Sequence, residues 1–124
     1  MIDFNKFGRS VGFAVRGLRW LWQENNARIH ALAGVAVVIV GISLGLSASE
    51  WLWIGLAIAL VFIAELVNTS LERLTDLVSP HHHPLAGQAK DLAAAAVLVA
   101  ALFAIVVGMV IVVPHVLAIF LEKL

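Results

Sequence analysis

The chain has 124 residues, 62% hydrophobic and 13% charged, with a mean hydropathy of +1.02. Soluble domains average roughly half apolar and a quarter charged residues, so a water-soluble fold of this size is excluded. Formal net charge is +0 and points to no partner, and the lack of cysteine excludes disulfides, thiolate chemistry and Cys-ligated metals.

Residues 4–22, "FNKFGRSVGFAVRGLRWLW", put Phe4, Phe7, Val11, Val15, Leu18 and Trp22 on one side, with Lys6, Arg9, Arg16 and Arg19 around the rest. That spacing predicts an amphipathic helix lying on the membrane surface. A secretory signal peptide would turn apolar at once. Here the first apolar span opens only near Ala27 and runs to about residue 47, which predicts a retained membrane helix. Arg28 and His30 at its start are expected to snorkel to water. Gly41 and Gly45 lie one turn apart near its end, a spacing that lets another helix come close.

"SASE" reads as a short turn before a second span over residues 51–74. Trp51 and Trp53 suit one membrane interface, and Trp20 and Trp22 the other. The stretch "VSPHHHPLAGQ" carries two prolines and a glycine and reads as a loop. Adjacent His81, His82 and His83 do not make a structural metal site, which needs four converging ligands. A third span is expected over residues 90–114, opening with the small residues of "DLAAAAVLVAALFA". The fold class is thus an all-α membrane protein, one domain with a surface helix and three transmembrane helices. Seven of the eight Lys and Arg residues lie in the N-terminal segment and the second connection. The positive-inside rule places both in the cytoplasm and the C-terminus outside.

The second span ends in "AELVNTSLERLTD", where carboxylates enter a segment that should be in hydrocarbon. Counted from Trp51 at about 1.5 Å per residue, Glu65 lies roughly 21 Å down and Glu72 roughly 31 Å down. In hydrocarbon about 30 Å thick, Glu65 falls in the inner third and Glu72 near the inner interface. At about 100° per residue, Glu65, Asn68, Glu72 and Asp76 share an arc of roughly 80°. Lys90 and Asp91 open the third span at the same depth, and Glu24 precedes the first. Asn68 alone would be explained as well by a buried hydrogen bond between helices. Asp76 reads as a solvated charge, and Arg73 as a topology signal, with a lipid-phosphate contact as the alternative. Packing does not call for further carboxylates at one end. Carboxylates with a lysine at a water boundary suit Mg²⁺ and phosphate, and a partly buried carboxylate suits a general base. Neither G-x-x-x-x-G-K-S/T nor G-x-G-x-x-G is present, so any ATP site is built unlike those of soluble kinases. A small proton-coupled transporter is the alternative from another class, although transport sites lie nearer the midplane.

"ENNARIH", "AELVNTSLERLTDLVSP" and "HPLAGQAKDLAAAAVL" resemble the small bacterial integral-membrane diacylglycerol kinases, and most closely their undecaprenol kinase branch. The likeness runs over about residues 4–114. It implies a homotrimer with shared active sites and no nucleic-acid partner. It also implies transfer of the γ-phosphate of ATP, with Mg²⁺, to a membrane lipid alcohol. Undecaprenol is the expected acceptor, with diacylglycerol as the alternative. By the same resemblance, Glu65 matches the catalytic base, and Glu24 and Glu72 the carboxylates that hold the nucleotide's metal. Asn68 matches the active-site amide, Lys90 the phosphate-contacting lysine, and Asp91 its acidic neighbour. Arg9 and Phe13 fall where the surface helix would meet nucleotide. Three departures stand out: "ENN" for the frequent E-R-N, a Gly17–Glu24 spacing one residue short, and Ala95 where glycine is usual.

Overall fold

A computed structural model describes residues 1–123. Its helices are α1 (Phe4–Leu21), α2 (Asn25–Leu44), α3 (Ala48–Val78) and α4 (Pro84–Leu121). α2, α3 and α4 are each long and apolar enough to cross a membrane. α3 and α4 make the most extensive contact, α2 touches both more lightly, and α1 packs against α3.

Local chemistry sets where each helix starts and stops. Asp3 caps α1 by accepting from the Asn5 and Lys6 amides, both at 3.0 Å. The apolar side of α1 stays uncovered by the chain, with Phe4, Phe7, Val11 and Leu18 all exposed, as a helix lying in a bilayer interface requires. At the other end of the bundle, Gly45 terminates α2 with φ +66, a left-handed conformation that glycine adopts without strain. Among the described residues, Gly41 meets another helix and Gly45 does not. Gly45 is a cap, and Gly41 makes room for Trp51 within the same chain: a Cβ on it would stand 2.7 Å from the indole Cη2. "SASE" is a capping box rather than a turn, with Glu50 N–H donating to Ser47 Oγ and Ser47 N–H to Glu50 Oε2.

α4 begins six residues before the expected Lys90. Pro84 occupies its first turn, where the missing N–H would be unpaired anyway, and His83 Nδ1 accepts from the Leu85 amide at 3.2 Å. The helix also continues past Pro114 to Leu121. Just beyond that proline, His115 Nδ1–H donates to the Ile111 carbonyl at 2.9 Å, and Nε2 sits 3.6 Å from Glu50 Oε1 on α3. The buried apolar cluster of Leu46, Ile54, Ala57, Val107 and Ile111 lies toward this end, close to the α2–α3 turn. The polar residues occupy the opposite end of α3. With 31 residues, α3 is about 46 Å long at about 1.5 Å per residue, so it outreaches a hydrocarbon layer of about 30 Å.

Candidate active site

α3 is the spine of the site. Its buried residues run Ile54, Ala57, Val61 and then Glu65, Asn68 and Thr69, so the stripe that faces the bundle changes from apolar to polar without changing side. Glu65 is 1% exposed. Asn68 Nδ2–H donates to Glu72 Oε1 at 3.0 Å, one turn along. Two buried oxygens have no hydrogen-bond partner among the described residues, Glu65 Oε1 and Asn68 Oδ1. Unmet acceptors away from water are uncommon and mark places where a further donor belongs.

The other elements each bring one group to this stripe. The α1–α2 connection turns on amide bonds from Gln23 to the Trp20 carbonyl and from Glu24 to the Leu21 carbonyl. Arg28 Nε–H then donates to the Trp22 carbonyl at 2.7 Å, so this arginine secures the connection. Glu24 is the N-cap residue of α2, yet its side chain makes no cap bond. Its Oε1 instead accepts from Arg73 Nη2 on α3 at 3.1 Å. The Arg73 guanidinium also lies over the Trp20 ring, 5.4 Å from its centroid. Arg73 is therefore a tie between α3 and the α1–α2 connection, beyond any role in topology. α2 contributes His30, whose Nε2 is 3.7 Å from Glu65 Oε1. α4 contributes Lys90, which pairs with Asp76. Asp76 is solvated, as expected, with its side chain 65% exposed, and it is also the partner of Lys90.

Glu65, Asn68, Glu72 and Lys90 thus gather along one face of α3, and Glu24 lies within electrostatic reach of Glu65 along with Glu72. Asp91, beside Lys90, is exposed. Arg9 and Phe13 are exposed on α1, and Phe13 stacks under Arg16 at 4.7 Å instead of meeting the acids. Sequence reasoning missed two members of this set, His30 and Arg73. The Arg73 tie spans 49 residues of sequence, which helical spacing does not reveal.

Among the described residues no group of three His, Asp or Glu side chains stands ready to hold a metal ion. Mg²⁺ takes one or two carboxylates and completes its shell with waters and substrate phosphates. Glu24 and Glu72 are hard oxygen donors of the right kind. Beside the polar stripe, an apolar cavity of about 630 Å³ runs between α2, α3 and α4, lined by Gly34, Val37, Ala57, Val61 and Ala104, with His30 also on its wall.

The sequence profile of the family described as prokaryotic diacylglycerol kinase matches residues 12–112. An undecaprenol kinase of Bacillus subtilis (strain 168) is 41% identical over 116 residues, 90% of this chain and 92% of its own. A diacylglycerol kinase of Synechocystis sp. is 42% identical over 96 residues, 77% of this chain but 55% of its own. A diacylglycerol kinase of Escherichia coli (strain K12) is 28% identical over 104 residues, covering 83% and 85% of the two chains.

Proposed function

The chain belongs to the prokaryotic diacylglycerol kinase family and is a lipid kinase of the membrane; on that premise we propose that it moves the γ-phosphate of ATP to the hydroxyl of undecaprenol, in preference to diacylglycerol, at the cytoplasmic face. The observation that carries the reading is Glu65. It is a buried carboxylate at the apolar-to-polar changeover of α3, where a lipid hydroxyl and a water-borne phosphate donor can meet. Undecaprenol is favoured because similarity to an undecaprenol kinase extends over 90% of this chain and 92% of that one. The apolar cavity that reaches His30 offers an isoprenoid chain a surface beside Glu65.

In this mechanism Glu65 accepts the hydroxyl proton as the lipid oxygen attacks the γ-phosphorus. A positioned base of this sort contributes about 10²–10⁴-fold to rate. Asn68 holds Glu72 through its amide and keeps its own Oδ1 for a donor on the substrates. Lys90, drawn to the stripe by Asp76, offsets charge on the phosphates, with Asp91 beside it. Arg9 and Phe13 on the surface helix approach the nucleotide once it is bound. Glu24 and Glu72 would hold Mg²⁺, which neutralises phosphate charge when bound. Assembly as a homotrimer shares each site between subunits, with the N-terminus in the cytoplasm and the C-terminus outside.

The deciding experiment uses purified protein, ATP and Mg²⁺ with undecaprenol and diacylglycerol presented separately in mixed micelles. Phosphate should appear on undecaprenol at the higher kcat/KM. Higher kcat/KM on diacylglycerol would replace the acceptor, and phosphate on neither lipid would overturn the reading.

A further inference from the structure

We propose that His30 is a positioning residue for Glu65: its Nε2–H donates to Glu65 Oε1 and holds the carboxylate so that Oε2 faces the acceptor hydroxyl. The inference rests on Glu65 being the base. Glu65 Oε1 is fully buried and lacks a hydrogen-bond partner among the described residues. A carboxylate oxygen in that position is unfavourable unless a donor reaches it. Glu24 and Glu72 are acids. Asn68 turns one of its two amide hydrogens to Glu72, and Arg28 turns its Nε–H toward the Trp22 carbonyl. His30 Nε2 is already 3.7 Å away. A hydrogen bond needs about 2.7–3.2 Å, so a small rotation of either side chain closes the contact. The ring is 22% exposed and borders the apolar cavity, so it meets both the carboxylate and the space beside it.

The step balances without a proton on His30. The hydroxyl proton passes to Glu65 Oε2 while the lipid oxygen bonds to the γ-phosphorus. The bond from that phosphorus to the β–γ bridging oxygen breaks, and its electron pair leaves with ADP. His30 keeps its hydrogen and its bond to Oε1 throughout, and the proton on Glu65 passes to water after release.

The test compares His30→Gln, which keeps a donor, with His30→Met and His30→Leu, which do not. Turnover is measured with undecaprenol, ATP and Mg²⁺ on protein checked for assembly. The apolar variants should lose kcat by roughly tenfold to a hundredfold, the range for a hydrogen bond to a charged group. KM for ATP and lipid should hold within about threefold, since the bond acts on the reacting carboxylate rather than on binding. His30→Gln should recover most of the loss, and adding His30→Met to Glu65→Gln should slow that variant no further. Wild-type kcat in either apolar variant, or an equal loss in His30→Gln, would overturn the inference. A second measurement needs no His30 variant to turn over: in protein carrying ¹⁵N-labelled histidine, the His30 Nε2 resonance should move on Glu65→Gln. An unmoved resonance overturns the inference even if the apolar variants do not assemble. Normal turnover in Glu65→Gln would remove the base itself. An inactive Glu65→Gln beside a fully active His30→Met would remove only the part given to His30.

Discussion

Arg73 Nη2 lies 3.1 Å from Glu24 Oε1, joining the lower part of α3 to the connection between the surface helix and α2. The two side chains are 48% and 36% exposed, so solvent screens the pair and its net worth is at most about 1 kcal/mol. Its effect is on where Glu24 points. Arg73→Ala should leave the thermal unfolding midpoint nearly unchanged while freeing Glu24 for the nucleotide's metal. The Mg²⁺ concentration for half-maximal activity should fall by about twofold, the scale of a screened surface pair. A Mg²⁺ titration reads this directly, and a rise would show that Arg73 presents Glu24 to the metal instead of competing for it.

Glu65→Gln keeps the size of the side chain and removes its basicity. Turnover should drop by roughly 10²-fold or more, with assembly and unfolding temperature close to wild type. Kinetics on detergent-purified protein, normalised to assembled material, checks it. Activity near wild type would take the base role away from Glu65.

Glu72→Ala strips Asn68 of its acceptor and the site of a hard oxygen ligand. The half-saturating Mg²⁺ concentration should rise by about fivefold or more, because Mg²⁺ at such sites depends on one or two carboxylates. Asn68→Leu should lower kcat without that Mg²⁺ shift. An unchanged titration for Glu72→Ala would count against metal binding there.

Lys90→Met removes the cation that Asp76 draws to α3. Loss of one charge-assisted contact to phosphate should lower kcat/KM for ATP by roughly tenfold or more, with KM for the lipid unmoved. Varying ATP at fixed lipid, and the reverse, separates the two.

Gly41→Ala sets a stability prediction apart from the chemistry. The new methyl would stand 2.7 Å from Trp51 Cη2 and 2.9 Å from Leu46 Cδ1. Overpacking of this kind costs about 1–3 kcal/mol, so the unfolding midpoint should fall while kcat per folded molecule is kept. A variant as stable as wild type would show that Trp51 yields freely.

The helices and the polar stripe were legible because both are periodic. Runs of about 20 apolar residues announce membrane spans, and Glu65, Asn68, Glu72 and Asp76 share a helical face on counting alone. The cross-element ties were not legible. Arg73 with Glu24, Lys90 with Asp76 and His30 with Glu65 join residues whose neighbourhood is fixed only when the helices pack. His30 was hidden by its place at the mouth of an apolar span, where snorkelling explains a polar residue well enough. Helix ends misled for a local reason. Pro84 looks like a breaker but starts α4, since a proline at the first position gives up no hydrogen bond. Gly45 looked like a contact glycine and is the stop of α2, a distinction that depends on its backbone sign.

Because His30, Glu24 and Lys90 all answer to one rigid rod, α3 works like a key with its teeth cut in phase. Inserting a single residue between Ala57 and Glu65 would swing every tooth by about 100°, parting the whole set in one stroke while the membrane span stayed intact. Length changes should therefore be barred from that short stretch. The last turn of α4, beyond His115 and its contact with Glu50, carries none of these pairings and should tolerate changes better.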